Sequence, residues 1–272
     1  MPTVGWVFAM LLLRSLLFNV LFYLTTFLQM VFQAPVYFAV SRQKAWFVPN
    51  NWSRINNFML RVICGTTVEF KGVENIPDGP CIIGAKHQST WDTFVCLPYL
   101  KDPVLILKRQ LMWIPIFGQM LAKMDMIAID RSSRDEARKQ VNAGANKAKA
   151  NNRQILIYPE GTRRSPGDDP AYKQGIAMIY EATGLPVIPV AHNAGMFWPR
   201  RKFWRYPGKM TVEFLPPIPP GLPRDEMFKR LILELEARCD ALLIDGASQP
   251  NPPPLADTAV KRLKELGFQP KS

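Results

Sequence analysis

The chain has 272 residues, 48% of them hydrophobic, with 34 Lys and Arg against 22 Asp and Glu, a formal charge of +12 and only two histidines. That apolar fraction excludes a disordered chain, and four cysteines with no C-x-x-C pair exclude a disulfide scaffold and a thiolate metal cluster. The positive excess narrows the partners to anionic ones: a bilayer surface, phosphate-bearing small molecules or nucleic acid.

Between residues 4 and 40 the only charged residue is Arg14. Residues 16–40 alone exceed the ~20 that a helix needs to cross hydrocarbon, so residues 1–45 read as a membrane anchor. A cleaved signal peptide is a poor match, because its apolar core runs only about 7 to 15 residues and follows basic residues. Asn19, Gln29, Gln33 and Pro35 permit a second arrangement, two shorter helices lying in one leaflet. Arg42, Lys44, Arg54 and Arg61 follow the apolar stretch. For a spanning helix that asymmetry puts the rest of the chain on the cytoplasmic side, in keeping with unpaired thiols.

Residues 81–86, Cys-Ile-Ile-Gly-Ala-Lys, predict a short buried strand, and His-Gln-Ser-Thr-Trp-Asp follows at 87–92. In an uninterrupted helix, positions five apart are separated by about 140°, so His87 and Asp92 can meet only across a strand-to-helix corner. Ser89 or Thr90 can cap the next helix, with Asp92 in its first turn, where free N–H groups favour a carboxylate. Asp92 can then accept from one imidazole nitrogen while the other faces a substrate hydroxyl, which makes a general base worth roughly 100-fold to 10,000-fold in rate. Taken alone, the spacing better fits a buried histidine satisfied by a nearby aspartate, because H-x-x-x-x-D occurs often by chance.

Further strands are expected at 103–107, 124–130, 154–158 and 186–191, with helices at 133–150 and 171–183 between the later ones. Ser133 and Glu136 have the form of a capping box. This alternation predicts an α/β fold, a mixed and largely parallel sheet flanked by helices. His87, Lys108, Arg131 and Glu160 fall just past the carboxyl ends of predicted strands, where open α/β sheets place their sites. Glu160 opens Glu-Gly-Thr-Arg at 160–163. Arg163 offers a planar fork for phosphate oxygens and Lys108 a mobile point charge, whereas Glu160 suits positioning, by pairing with a base or accepting from a hydroxyl. The alternative for Glu160 and Arg163 is a structural ion pair at a turn.

A strand at 209–215 precedes the break Pro216-Pro217-Ile218-Pro219-Pro220, and residues 224–244 show helical periodicity. These complete a domain at 46–248. Residues 250–254 read as a stiff linker and 260–266 as a short basic helix or a disordered tail, together a terminal segment at 249–272. One dense basic and aromatic run, residues 199–205, reads as a solvated loop or an interfacial contact. No helix-turn-helix, zinc finger or RNA-binding signature accompanies it, so no nucleic acid partner is expected.

Four blocks in order give the chain a resemblance to the 1-acyl-glycerol-3-phosphate acyltransferases, within the glycerolipid acyltransferases. They are His87 with Asp92, Lys108-Arg109-Gln110-Leu111 with Pro115 and Gly118 beyond, Glu160-Gly161-Thr162-Arg163, and Val187-Ile188-Pro189-Val190. The resemblance covers roughly residues 64–220. It departs at Gln110, where the family often carries a glutamate. It implies His87 as base and Asp92 as its partner. Arg163 and Lys108 would lie near the acceptor's phosphate, with Gly161 and Thr162 in the same block, and Lys173 stands where the family commonly has a basic residue. It further implies acyl transfer from acyl-CoA or acyl carrier protein to lysophosphatidic acid, with no cofactor; the positive charge fits an anionic membrane surface, and two histidines with no clustered ligand spacing predict no metal.

Two other readings stay open on sequence. One is an acyltransferase for another lysophospholipid or for glycerol 3-phosphate, and the other is a lipid-binding membrane protein without turnover. A serine hydrolase is disfavoured by the lack of a G-x-S-x-G elbow.

Overall fold

The strands at 82–85, 155–157 and 187–192 are short apolar runs buried on both faces, the pattern of a parallel sheet covered by helices on each side. The computed structural model describes residues 4–130 and 134–269. Seven strands form one sheet: β1 (Thr66–Lys71), β2 (Ile82–Ala85), β3 (Val104–Lys108), β4 (Ile127–Ile129), β5 (Ile155–Ile157), β6 (Val187–His192) and β7 (Gly208–Phe214). Their order is β1-β7-β6-β2-β5-β3-β4. β6, β2, β5, β3 and β4 run parallel, so their carboxyl ends share one edge of the sheet. β7 pairs antiparallel to β6 and parallel to β1.

The helices are α1 (Val4–Ala39), α2 (Arg42–Ala45), α3 (Phe47–Met59), α4 (Asp92–Val95), α5 (Phe117–Lys123), α6 (Arg134–Ala150), α7 (Gly175–Thr183), α8 (Ala194–Phe197), α9 (Arg224–Ala247) and α10 (Asp257–Glu265). Side chains that alternate along the strands separate two apolar layers. Ile82, Ile155, Ile157 and Val187 pack on one face with Val141 of α6, Ile176 of α7 and Leu231 of α9. Ile83, Leu156, Ile188 and Val190 pack on the other with Phe18 of α1, Val48 of α3 and Phe94 of α4. Gly84 allows α7 its approach to β2, since a Cβ there would lie 2.7 Å from Ile176.

The apolar N-terminus is a single helix, not a pair. Phe18, Phe22, Tyr37 and Ser15 form its buried stripe, and Trp6, Phe8, Leu13, Tyr23, Phe27 and Phe32 project outward. Contacts run along the length of the helix. Ser15 Oγ accepts from the Arg205 N–H at 3.0 Å, Trp52 donates to Thr26 at 2.9 Å, and the Tyr37 hydroxyl donates to the Met120 carbonyl at 2.9 Å.

Two further elements differ from the expectation. β1 was not predicted, although Thr66-Thr67-Val68-Glu69-Phe70 is β-branched and alternating; its edge position leaves it half-exposed and weakly patterned. α7 begins at Gly175, because Lys173 N–H bonds the Pro159 carbonyl at 2.8 Å and holds the preceding residues in a turn. Of the two readings of residues 260–266, the helix is the one that matches α10. α10 buries Ala259 and Leu263, Arg262 pairs with Asp240 of α9, and the Thr258 hydroxyl donates to the Pro166 carbonyl at 2.9 Å. The proposed cap at Ser133, together with Arg131, lies outside the described residues.

Candidate active site

The corner after β2 carries the first motif. His87 Nδ1 lies 2.8 Å from Asp92 Oδ1, and Asp92 Oδ2 accepts the backbone N–H groups of Gln88 and Ser89, each at 2.7 Å. A carboxylate bonded to two amides and a ring nitrogen is fixed in place, and it fixes the tautomer in which Nδ1 carries the proton and Nε2 has a free lone pair. Neither Ser89 nor Thr90 caps α4 as expected. Ser89 Oγ accepts from the Trp91 N–H at 3.2 Å, and the Thr90 hydroxyl meets Arg163. The helix that follows is one turn long.

The corner after β5 lies beside it. Gly161 N–H closes a turn onto the Tyr158 carbonyl at 2.9 Å, and Gly161 has φ +66, a left-handed conformation that glycine adopts without steric cost. The Lys173 side chain crosses this glycine, 3.2 Å from where a Cβ would stand. The two corners are tied together. Arg164 N–H donates to the His87 carbonyl at 2.7 Å, and Arg163 Nη1 donates to the Thr90 hydroxyl. The Tyr158 hydroxyl donates to the Asp92 carbonyl at 2.8 Å. The Tyr158 ring also stacks on the His87 ring, with centroids 4.3 Å apart. Burial raises the Tyr158 phenol well above its ordinary pKa, with Asp92 adding to the effect, so it stays protonated as a donor.

Glu160 faces inward. It is 2% exposed; one oxygen accepts the His87 N–H at 3.1 Å and the other takes Lys86 Nζ at 2.8 Å. Lys86 is also paired at 2.8 Å with Glu236 of α9, which in turn accepts from the Tyr172 hydroxyl. Burial opposes the ammonium charge, but Cys239, Glu160 and Glu236 around it together outweigh burial and hold Lys86 above the ordinary lysine value. The pairing reading of Glu160 is the one the structure contains.

His192, at the carboxyl end of β6, lies behind this arrangement. Its Nε2 is 2.9 Å from the Lys86 carbonyl and 3.6 Å from Asp92 Oδ2, and its Nδ1 faces the Ala194 N–H at 3.4 Å. Burial lowers its pKa, against the pull of Asp92, so the ring is neutral at pH 7 with the proton on Nε2. Lys86, Gln88, His192, Glu236, Cys239 and Arg262 line a polar cavity of about 140 Å³ on that side.

Of the residues singled out from sequence, His87, Asp92, Glu160, Gly161, Arg163 and Lys173 come together. Thr162 is exposed in the same turn. Lys108 ends β3, two strands from β2 on the same sheet edge, and is exposed. Sequence reading missed Lys86, Tyr158, His192 and Glu236. A lysine closing a buried strand and a histidine closing another were available signals, since buried charges and imidazoles require partners.

The family model described as Acyltransferase matches residues 67–193, the stretch that holds both corners. The 1-acyl-sn-glycerol-3-phosphate acyltransferase of Pseudomonas aeruginosa is 37% identical over 211 residues, 78% of this chain and 80% of that one. The protein of the same description from Escherichia coli is 30% identical over 168 residues, 61% of this chain and 66% of that one. Among solved structures, the 1-acyl-sn-glycerophosphate (LPA) acyltransferase of Thermotoga maritima superposes with a TM-score of 0.68 at 23% identity, covering 85% of this chain and 97% of its own. Fold and site define an acyltransferase. The chain belongs to the 1-acyl-sn-glycerol-3-phosphate acyltransferase family.

Proposed function

We propose that the protein transfers a fatty acyl group from acyl-CoA or acyl carrier protein to the free hydroxyl of 1-acyl-glycerol 3-phosphate, giving phosphatidic acid. The observation that carries this reading is the placing of Arg163 at the His87–Asp92 corner, held by Thr90 and by the adjoining Arg164–His87 bond. A base and a guanidinium on one corner suit an acceptor that bears both a hydroxyl and a phosphomonoester.

In this mechanism His87 Nε2 takes the proton from the acceptor hydroxyl as its oxygen attacks the thioester carbonyl. Asp92 holds Nδ1–H and stabilises the imidazolium. The tetrahedral intermediate collapses, the carbon–sulfur bond breaks, and the imidazolium returns its proton to the departing thiolate. Acceptor phosphate is held by Arg163, with Lys108 and Lys173 as further cations. No protein nucleophile and no cofactor are required.

The acceptor reaches this site from a bilayer. α1 has 36 residues, about 54 Å at 1.5 Å per residue, and it is docked on the domain from Phe8 to Tyr37. Crossing ~30 Å of hydrocarbon would drag those docked loops into it, so the reading adopted is a helix lying in one leaflet with its outer face in lipid. The cytoplasmic leaflet fits the free thiols and the positive charge.

The test is thiol release by the detergent-purified protein with a fixed acyl-CoA, against lysophosphatidic acid, glycerol 3-phosphate and lysophosphatidylcholine. His87-dependent release with lysophosphatidic acid alone is expected. Equal turnover of lysophosphatidylcholine would overturn the phosphate assignment, and no release with either acyl-CoA or acylated carrier protein would overturn the enzymatic one.

A further inference from the structure

Acyl transfer leaves the basic and aromatic run at 199–205 without a role. The loop lies against the first half of α1. Asn19 Nδ2 donates to the Phe203 carbonyl at 2.8 Å, and the Trp204 ring lies 5.4 Å from Phe8. Arg205 is buried beneath. It donates to the carbonyls of Lys202, Phe203 and Trp204 at 2.9, 3.1 and 2.8 Å and to Asn19 Oδ1 at 2.7 Å, and its guanidinium sits 4.3 Å from the Trp198 ring. A loop wrapped on a buried guanidinium has a set shape, unlike a solvated one. That shape leaves Arg201, Lys202 and Phe203 exposed beside the outward apolar face of α1, while Arg200 turns inward and bonds the Arg163 carbonyl.

The geometry points to this loop as the docking surface for anionic lipid headgroups, with Arg201 and Lys202 at the level of the phosphates and Phe203 and Trp204 at the interface. The assignment rests on the reading that α1 lies in a bilayer. Charge complementarity selects an anionic surface, where a Lys or Arg near the headgroups gains roughly fivefold in association before salt screening. Aromatic rings favour that depth. Nucleic acid is the poorer fit, because Trp204 already packs on Phe8 and is not free to stack on a base. Through Arg200 the loop also sets the depth of Arg163, so the same contact that grips the surface aligns the phosphate site with the headgroup plane.

The test uses full-length protein in vesicles of equal phosphatidylcholine and phosphatidylglycerol, with one lipid at a time brominated on its acyl chains. A bimane label is placed at Phe203→Cys, and in a control at Tyr23→Cys on the exposed face of α1, with labelled wild type as background. Both lipids should quench the Tyr23 label alike. Brominated phosphatidylglycerol should quench the 203 label about twofold or more beyond brominated phosphatidylcholine. That preference should vanish in Arg201→Ser/Lys202→Ser and in high salt, with turnover in neutral detergent unchanged. Equal quenching at 203 with quenching at 23 intact would overturn the loop assignment alone. No quenching at 23 would overturn the bilayer reading and the loop assignment with it. Duplex DNA binding that is lost in the double variant, with equal quenching by both lipids, would reassign the loop.

Discussion

The corners after β2 and β5 stand side by side at one edge of the sheet, and each carries a carboxylate that is 2% exposed, Asp92 in the first and Glu160 in the second. Asp92 takes two backbone amides and spends its remaining oxygen on a ring whose far nitrogen is left for chemistry. Glu160 takes one amide and a buried ammonium, and so joins the first corner to α9. The contrast teaches that burial and motif position do not give a carboxylate its role; the partner supplied to it does. In the proposed mechanism Asp92 is part of the reacting apparatus, and Glu160 is part of its mounting.

The sharpest separation should come from His87→Ala. Loss of the base is expected to cut kcat by roughly 100-fold to 10,000-fold while the protein still unfolds near the wild-type temperature. A variant with more than a tenth of wild-type turnover would break the division between apparatus and mounting. Glu160→Ala should do the reverse. It leaves the His87 N–H without its acceptor and Lys86 with one carboxylate in place of two, at about 2 to 4 kcal/mol of stability measured by denaturant unfolding in detergent. Its residual turnover should exceed that of His87→Ala.

Arg163→Lys keeps the charge and loses the fork. The acceptor KM should rise about tenfold with kcat changed less than the KM, since phosphate binding is shared by ground and transition states. An unchanged KM would move the phosphate away from this corner. The smallest effect belongs to His192. Its folded pKa lies below the ordinary 6.5, so the unfolded chain binds its proton first. Stability is therefore full above that value and declines as pH falls below it. His192→Gln removes the titration, and its unfolding temperature should fall less steeply than the wild type's below pH 6.5.

Much of the first corner was legible because a strand, a histidine and an aspartate five residues on leave few ways to meet. The five interior strands and the edge strand β4 were legible because they are apolar and bounded by turn residues, and β1 escaped because its Thr and Glu residues break up any such run. The direction of Glu160 was not legible. It depends on Lys86 and Glu236, which are 150 residues apart, and no local pattern announces a pairing across that distance. The docking of α10 was hidden for the same reason: its helical period was visible, but the Arg262–Asp240 pair and the seat against Pro166 belong to the folded surface.

The lengthwise docking of α1 also bears on how the protein is made. Ser15 finds its partner in Arg205, 190 residues later in the chain. At roughly 5 to 20 residues per second, the ribosome delivers that partner about 10 to 40 seconds after the helix has emerged. Through that interval the helix has Trp52 and the rest of α3 to pack on, but Ser15 and Asn19 lack the partners that the 199–205 loop brings. It must therefore be received by lipid or by a chaperone first, and the catalytic domain closes onto it last.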